Sequence, residues 1–206
     1  MNKDIRDLVQ DFFEHDYILS EELATAIFLL ENLEKPLLLE GSPGVGKTMV
    51  AQTLAQHLNT DLIRLQCYEG LDVNTTIYEW NYQKQLLHMN LFEKENDRKA
   101  LGKRIFGMEY ILKRPLLESI SAEKPVVLLI DEIDRADEEF EAYLLELLSD
   151  FQISIPELGT VKAVTKPLVI LTSNRTRDLS DALRRRCLYH WVDYPSKEKE
   201  IDIIHK

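Results

Sequence analysis

Gly41-Ser42-Pro43-Gly44-Val45-Gly46-Lys47-Thr48 is the stretch that decides the fold. It follows the short apolar run Pro36-Leu37-Leu38-Leu39-Glu40, and Met49–Leu58 after it has a helical pattern. A G-x-x-x-x-G-K-T sequence between a strand and a helix is the pattern of a phosphate-binding loop. A glycine-rich turn can match such a pattern by chance, but the strand and helix on either side favour the binding loop.

The residue types of this loop suit the binding of a phosphate. Its glycines allow backbone conformations that a Cβ resists, so that amide N–H groups can point at an anion on the helix N-terminus. Lys47 places a cation near the β- and γ-phosphates of a nucleotide, and the Thr48 hydroxyl is a candidate Mg²⁺ ligand. The nucleotide-binding residues predicted here are Gly41, Ser42, Pro43, Gly44, Val45, Gly46, Lys47, Thr48 and Met49.

The composition is that of a globular protein with an acidic balance. The 206 residues can bury the core of one domain, and 45% of them are hydrophobic and 30% charged. The formal net charge of −11 leaves no excess of basic residues to displace counterions from a nucleic acid, so a nucleic acid partner is not expected. Cys67 and Cys187 form no metal-like spacing, and the chain start has no apolar signal segment. We therefore expect a cytoplasmic protein without a membrane partner.

Strand-like and helix-like patterns alternate along the chain, which predicts a parallel sheet covered by helices on both faces. Strands are expected at 37–40, 61–66, 126–130, 167–172 and 188–192. A β-hairpin is expected at 151–164, where Glu157-Leu158-Gly159-Thr160 separates two strand-like runs. The predicted division of the chain is N-terminal helices at 1–35, an α/β core at 36–195 and the start of a further helical segment at 196–206.

Three segments have a less regular pattern. Thr75–Trp80 has the composition of a strand, and Tyr110–Ser121 has a helical pattern that Pro115 interrupts. Glu93–Arg104 is highly charged, and both a solvated helix and a loop remain open for it.

Asp131 and Glu132 directly follow the apolar run Val126–Ile130. Ligands of open α/β sheets bind at the carboxyl ends of the strands, so both carboxylates are expected in the same crevice as the phosphate loop. Asp131 would hold Mg²⁺, and Glu132 would orient and deprotonate the attacking water. An Asp-Glu pair alone is a common surface feature, but its place after a buried strand favours the catalytic reading.

Asn174 and the run Arg184-Arg185-Arg186 complete the candidate site. Asn174 ends the next buried strand, where its side chain either contacts a γ-phosphate or closes an Asx turn. The arginine run is either a solvated or nucleic-acid-facing patch or the source of an arginine finger, a guanidinium that stabilises the transition state of phosphoryl transfer. Asn174 and this arginine run therefore join Glu132 as candidates for the catalytic residues.

In order and spacing, these motifs resemble those of the AAA+ ATPases, over about residues 15–200. Leu39–Thr48 and Ile130–Ala136 look like the MoxR branch of that family. That branch has an extra hairpin before the sensor strand, the strand that ends near Asn174 in this sequence, and the hairpin expected at 151–164 agrees with it. Tyr68–Asp72 and Leu179–Cys187 look closest to CoxD-like members. The resemblance implies a P-loop NTPase core with a five-stranded parallel sheet between helices.

The resemblance also implies an ATPase whose ATP and Mg²⁺ bind between the subunits of a ring, commonly a hexamer. By position, Arg186 matches the family's finger with Arg185 beside it, and Ile18 falls where the family lines its adenine pocket. The family implies chaperone-like remodelling of a client protein together with a partner that contains a von Willebrand factor A domain. CoxD-like members are associated with maturing the metal centre of molybdenum hydroxylases. The family's helical lid should follow Pro195, and we expect it to be missing here.

Three other functions share parts of this pattern. A motor that translocates nucleic acid uses the same ATP machinery, and the net charge of −11 disfavours it. A nucleotide-dependent binding module without catalysis is disfavoured by the intact Asp131-Glu132 pair. A small-molecule kinase is disfavoured by the joint presence of Asn174 and the distant arginine run. An ATP-hydrolysing remodelling protein is the main hypothesis.

Overall fold

The structure is a computed structural model that describes residues 3–92 and 106–205. The helices of these ranges are α1 (Lys3–Glu14), α2 (Glu21–Leu33), α3 (Lys47–His57), α4 (Val73–Ile77), α5 (Tyr82–Phe92), α6 (Pro115–Ile120), α7 (Glu138–Asp150), α8 (Asp181–Arg184) and α9 (Lys197–His205). The strands are β1 (Leu37–Gly41), β2 (Leu62–Gln66), β3 (Tyr78–Trp80), β4 (Ile111–Lys113), β5 (Val127–Asp131), β6 (Gln152–Ile155), β7 (Gly159–Lys162), β8 (Leu168–Ser173) and β9 (Leu188–Val192).

The central sheet is parallel, with the strand order β2-β5-β8-β1-β9. In its register, Leu39 of β1 lies opposite Thr172 of β8 on one side and His190 of β9 on the other. β1 and β5 are buried along their whole length, as expected for apolar strands that helices cover on both faces. The predicted five-stranded parallel sheet of an AAA+ core is confirmed.

Side chains of the central strands alternate between two hydrophobic clusters, one on each face of the sheet. Leu38 belongs to the cluster that contains Phe140 of α7. The next residue, Leu39, belongs to the opposite cluster, with Phe12 of α1 and Leu54 of α3. Because successive side chains of a strand point to opposite faces, a continuous apolar strand supplies both clusters. The sheet is therefore the middle layer of three.

A hairpin of β6 and β7 lies between α7 and β8 in the chain. Gln152 pairs with Lys162, and Ile155 pairs with Gly159, in an antiparallel register. Ile153 and Ile155 are buried in the cluster that contains α7, so the hairpin packs on that side of the sheet. The predicted insertion before the sensor strand, which is β8, is confirmed.

Thr75–Trp80 is not the single strand that its composition predicts. The end of α4 occupies 75–77, and only Tyr78–Trp80 forms a strand. The hydroxyls of Thr75 and Thr76 donate to the carbonyl oxygens of Asp72 and Val73, at 2.7 and 2.6 Å. These local bonds stabilise a helical turn and override the strand propensity of the threonines.

Tyr110–Ser121 likewise differs from the helical pattern expected for it. Tyr110 ends a 3-10 turn, β4 follows and pairs antiparallel with β3, and α6 begins only at Pro115. Proline disfavours a helical residue before it and suits the first turn of a helix, and Arg114 is extended, with φ −101° and ψ 170°. The charged segment 93–104, for which a helix and a loop were both open, lies outside the described residues.

Candidate functional site

The phosphate loop leaves β1 at Gly41 and enters α3 at Lys47. A Cβ on Gly41 would lie 2.3 Å from the carbonyl oxygen of Val192, so a glycine is required where β1 and β9 pair. Gly46 caps α3 with φ 92°, in the left-handed region that favours glycine. The glycines therefore determine the backbone path that turns the loop onto the helix N-terminus.

Lys47 is buried, and its ammonium group folds back over the loop. Its Nζ donates to the carbonyl oxygens of Gly41 and Ser42, at 2.7 and 2.8 Å, and to Oδ1 of Asn174 at 2.8 Å. Burial lowers the pKa of Lys47, while the nearby carboxylates of Asp134, Asp131 and Glu132 act in the opposite direction. Lys47 thus joins the phosphate loop to the residue that ends β8.

Asp131 lies at the carboxyl end of β5, beside Thr48 of α3. The Thr48 hydroxyl is 3.1 Å from Oδ1 of Asp131, and the Thr172 hydroxyl donates to the same oxygen at 2.5 Å. Mg²⁺ in nucleotide sites is usually held by one or two carboxylates together with phosphate oxygens. One buried carboxylate beside one hydroxyl at the start of the phosphate-loop helix fits this requirement. Thr48 and Asp131 are the residues that would hold the ion.

Glu132 has a left-handed backbone, with φ 56° and ψ 48°. Its N–H donates to the Thr172 hydroxyl at 2.9 Å, and its carboxylate forms an ion pair with Nε of Arg135 at 2.6 Å. Non-glycine residues rarely adopt this conformation, which costs free energy and is concentrated at functional sites. The turn carries the Glu132 side chain out of the strand and towards the cavity above the phosphate loop.

Asn174 is held in place by Asp134, a residue that the sequence interpretation did not single out. The Asn174 N–H donates to Asp134 Oδ1 at 3.2 Å, and the Thr176 N–H and hydroxyl donate to Oδ2 at 2.9 and 2.7 Å. Burial acts to raise the pKa of Asp134, but the bonds from Thr176 and Asn174 together hold this pKa below its ordinary value. Its place two residues after the acidic pair is the only sequence signal for this role.

Two adjoining cavities lie along the phosphate loop. The first, of about 270 Å³, is lined by Pro43, Gly44, Gly46, Lys47, Thr48, Met49, Asp131, Glu132, Thr172 and Asn174. The second, of about 260 Å³, shares Gly44, Gly46 and Met49 with it and continues to Ile18 and Val45. Tyr17, the residue before Ile18, also lines the second cavity, although the sequence interpretation did not predict it as a site residue. Burial raises the pKa of Tyr17 to about 12. A polar compartment and a more apolar one therefore meet at the loop.

Arg185 and Arg186 line neither of these cavities. Arg185 is exposed at the end of α8. The Arg186 guanidinium donates to the Ser149 hydroxyl at 2.6 Å and to the Ala182 carbonyl oxygen at 2.9 Å. The structure thus brings together the predicted loop, Asp131, Glu132, Asn174 and Ile18, and places the two arginines elsewhere on the same chain.

A larger cavity, of about 690 Å³, opens at the opposite, amino-terminal ends of β5 and β8. Its lining includes Pro125, Leu168 and the ion pair between Glu34 and Lys166. It has neither a glycine-rich loop nor a carboxylate at a strand end. Chemistry rather than size therefore places the candidate site at the phosphate loop.

A glycine-rich loop on a helix N-terminus and an acidic pair at the end of another strand of the same parallel sheet define the class of P-loop nucleoside triphosphatases. Residues 36–187 match the family described as AAA domain (dynein-related subfamily). Because this match covers most of the chain, the protein belongs to that family and is an AAA+ ATPase.

A solved structure from Cytophaga hutchinsonii ATCC 33406, of a protein described as a presumed ATPase, has a similar fold. The TM-score is 0.66 at 21% sequence identity, and the similarity covers 98% of this chain and 54% of the other. This chain thus spans about half the length of that protein, and the likeness concerns the fold. No curated protein matches the sequence. Within residues 3–92 and 106–205, no helix is long and apolar enough to cross a bilayer.

Proposed function

We propose that this AAA+ protein hydrolyses ATP with Mg²⁺ and uses the free energy to remodel a client protein. The observation that carries the proposal is the meeting of Lys47, Thr48, Asp131, Glu132 and Asn174 around one cavity. They provide a cation, two candidate metal ligands, a base and a hydrogen-bonding side chain beside it. This is the set of groups that attack of water on a γ-phosphate uses.

The contacts around this cavity indicate what each side chain would do with ATP. Lys47 would exchange its carbonyl oxygen partners for phosphate oxygens, and Asn174 would turn from Lys47 towards the γ-phosphate. Glu132 would leave Arg135 and take the proton of the attacking water. Mg²⁺, held by Thr48 and Asp131, would neutralise charge on the phosphates.

The adjoining cavity of about 260 Å³ is proposed to hold the adenine ring. Ile18, Val45 and Met49 supply apolar surface for a planar base, and the ring of Tyr17 approaches the loop closely. Its Cε2 lies 3.6 Å from the position that a Cβ on Gly46 would occupy. The polar and apolar compartments are thus in the order that a nucleotide requires, with phosphates over the loop and base beyond it.

The position of Arg186 outside the two cavities at the phosphate loop supports a site shared between subunits. A guanidinium acts on transition-state charge only within reach of the phosphates. We propose that Arg186, with Arg185 beside it, reaches the ATP of a neighbouring subunit in a ring, which the family resemblance suggests to be a hexamer.

Mixing two inactive variants tests this arrangement. Glu132→Gln subunits keep Arg186 but cannot activate water, and Arg186→Ala subunits keep Glu132 but offer no arginine. If Arg186 acts on a neighbour, a mixture regains phosphate release because some interfaces combine an intact Glu132 with an intact Arg186. Arg184→Ala, a change in the same exposed run, is the control and should retain turnover. A mixture that stays inactive while both variants bind ATP would contradict the shared site.

The finer assignment to the MoxR branch and its CoxD-like members rests on the sequence resemblance and on the hairpin before β8. It proposes a von Willebrand factor A-domain partner and a client such as a molybdenum hydroxylase that awaits its metal centre. Pull-downs with Glu132→Gln in ATP, compared with Lys47→Ala, should enrich such proteins only in the first variant. Salt-sensitive stimulation of turnover by nucleic acid would instead favour the translocating motor.

A further inference from the structure

Arg64 forms an ion pair with the carboxylate that the nucleotide site would use for its metal. Nη2 of Arg64 lies 2.5 Å from Oδ2 of Asp131, and the same nitrogen donates to Oε1 of Gln66 at 2.7 Å. The side chain of Asp131 is 4% exposed, whereas that of Arg64 is 48% exposed. A half-exposed cation therefore contacts a buried anion from the solvent side.

The nearby lysine does not bond to this carboxylate. An ammonium group has three donors, and those of Lys47 bond to the oxygens of Gly41, Ser42 and Asn174. The Thr48 and Thr172 hydroxyls contact Asp131 but carry no charge. Within the described part of the chain, Arg64 is the cation in ion-pair contact with Asp131. A buried carboxylate is costly without a paired charge, so this contact stabilises the Asp131 carboxylate.

The half-exposed side chain of Arg64 can change its conformation more easily than the buried side chain of Asp131 can. It lies on β2, at an edge of the sheet, while Asp131 ends β5 next to it. The neighbours Ile63 and Leu65 are buried in the core and hold the strand, so that the arginine side chain alone can swing into solvent. A long side chain with an exposed head group can make this change at little cost in packing.

We propose that Arg64 is a positioning residue that takes the metal side of Asp131 in the nucleotide-free protein and competes with Mg²⁺ for it. The inference rests on the function proposed above and adds a control of metal affinity to it. A carboxylate oxygen that accepts a guanidinium is less available to a second cation, and two cations at one carboxylate repel each other. While Arg64 bonds to Oδ2, the oxygen left for a metal is Oδ1, which already accepts a hydrogen bond from the Thr172 hydroxyl.

The test measures the Mg²⁺ concentration that half-saturates binding of a fluorescent ADP to the full chain. Arg64→Gln should lower this concentration roughly two- to fivefold, the range of an exposed ion pair. Arg64→Lys keeps the charge without the planar fork and should give a smaller decrease. Arg114→Gln is the matched control, because the Arg114 side chain is 47% exposed and pairs with Glu79 away from the site. It should leave the half-saturating Mg²⁺ concentration unchanged.

A second measurement separates competition from a merely structural role. Arg64→Gln should lower the melting temperature of the nucleotide-free protein and lose most of this deficit in saturating Mg²⁺ and ADP. An equal deficit in both states, or an unchanged or increased Mg²⁺ requirement, would overturn the inference. So would a loss of affinity for a non-hydrolysable ATP analogue but not for ADP, which would make Arg64 a γ-phosphate ligand. If the unmodified chain shows no Mg²⁺-dependent nucleotide binding, the proposed function itself fails.

Discussion

At the scale of single residues, Asp134 connects two parts of the site that lie far apart in the chain. Asp134 is 3% exposed, and its carboxylate accepts hydrogen bonds from the segment that follows β8. That segment carries Asn174, whose side chain contacts Lys47 of the phosphate loop. Asp134 thus determines where Asn174 sits without lining the cavity itself.

Replacing Asp134 by asparagine should lower the free energy of unfolding by about 1–3 kcal/mol at neutral pH, because an amide cannot accept all of these bonds. The folded-state pKa lies below the ordinary 3.8. The contribution of the Asp134 carboxylate to the free energy of unfolding is therefore complete above pH 3.8. It is lost as the pH falls through the lower pKa of the folded state. Urea unfolding at neutral pH and at about pH 3 should show the deficit shrinking in acid.

Asp178→Asn is the control for this comparison, since the Asp178 side chain is 85% exposed. It should change stability little at either pH. A deficit in Asp134→Asn that is the same at both pH values would show that the carboxylate charge has no part in the effect.

At the scale of elements, α7 connects the acidic pair with the candidate arginine finger. It begins shortly after Glu132, and its last turn carries Ser149, which accepts a hydrogen bond from Arg186. Near its start the buried Glu141 forms an ion pair with Arg177 at 2.5 Å. The position of this helix therefore affects both the candidate base and the candidate arginine finger.

Asp137 caps α7, with Oδ1 accepting the Phe140 N–H at 2.8 Å. Asp137→Ala should lower the free energy of unfolding by about 1 kcal/mol, because the first turn loses this acceptor. Glu139→Ala, in the same turn but without a capping bond, is the control. Denaturant unfolding of both variants checks the prediction, and equal losses would assign the effect to the helix dipole instead of the cap.

At the scale of the whole molecule, the candidate site exists only where the ends of β1, β5 and β8 meet. Nucleotide binding should therefore stabilise the entire fold. At a free ATP concentration about a hundredfold above Kd, with Mg²⁺, the gain should be about 2.7 kcal/mol. Thermal unfolding measures it, and Lys47→Ala should abolish it.

Lys166→Ala is the matched control for that experiment. Lys166 pairs with Glu34 at the opposite end of the sheet, so its loss should leave the ATP-induced stabilisation unchanged. An ATP effect that survives in Lys47→Ala would mean that the stabilising nucleotide binds elsewhere.

The central strands and the hairpin could be predicted because their signals are local. Continuous apolar runs predict strands buried on both faces, and a turn between two such runs predicts a hairpin. The segments 75–80 and 110–121 were not assigned correctly. In the first, side-chain hydrogen bonds of the threonines favour a helical turn over a strand. In the second, the helix begins only at Pro115, and a short strand precedes it. The sequence interpretation singled out neither Arg64 nor Arg135.

By itself, the sequence determined the phosphate loop, the acidic pair and the positions of the core strands along the chain, since each depends on residues adjacent in the chain. Only the tertiary structure decided which side chains meet. Lys47 and Asn174 are 127 residues apart, and Arg64 and Asp131 are 67 apart. Such contacts form because parallel strands bring distant carboxyl ends to one edge of the sheet. The contact between Arg64 and Asp131 could therefore be found only in the tertiary structure.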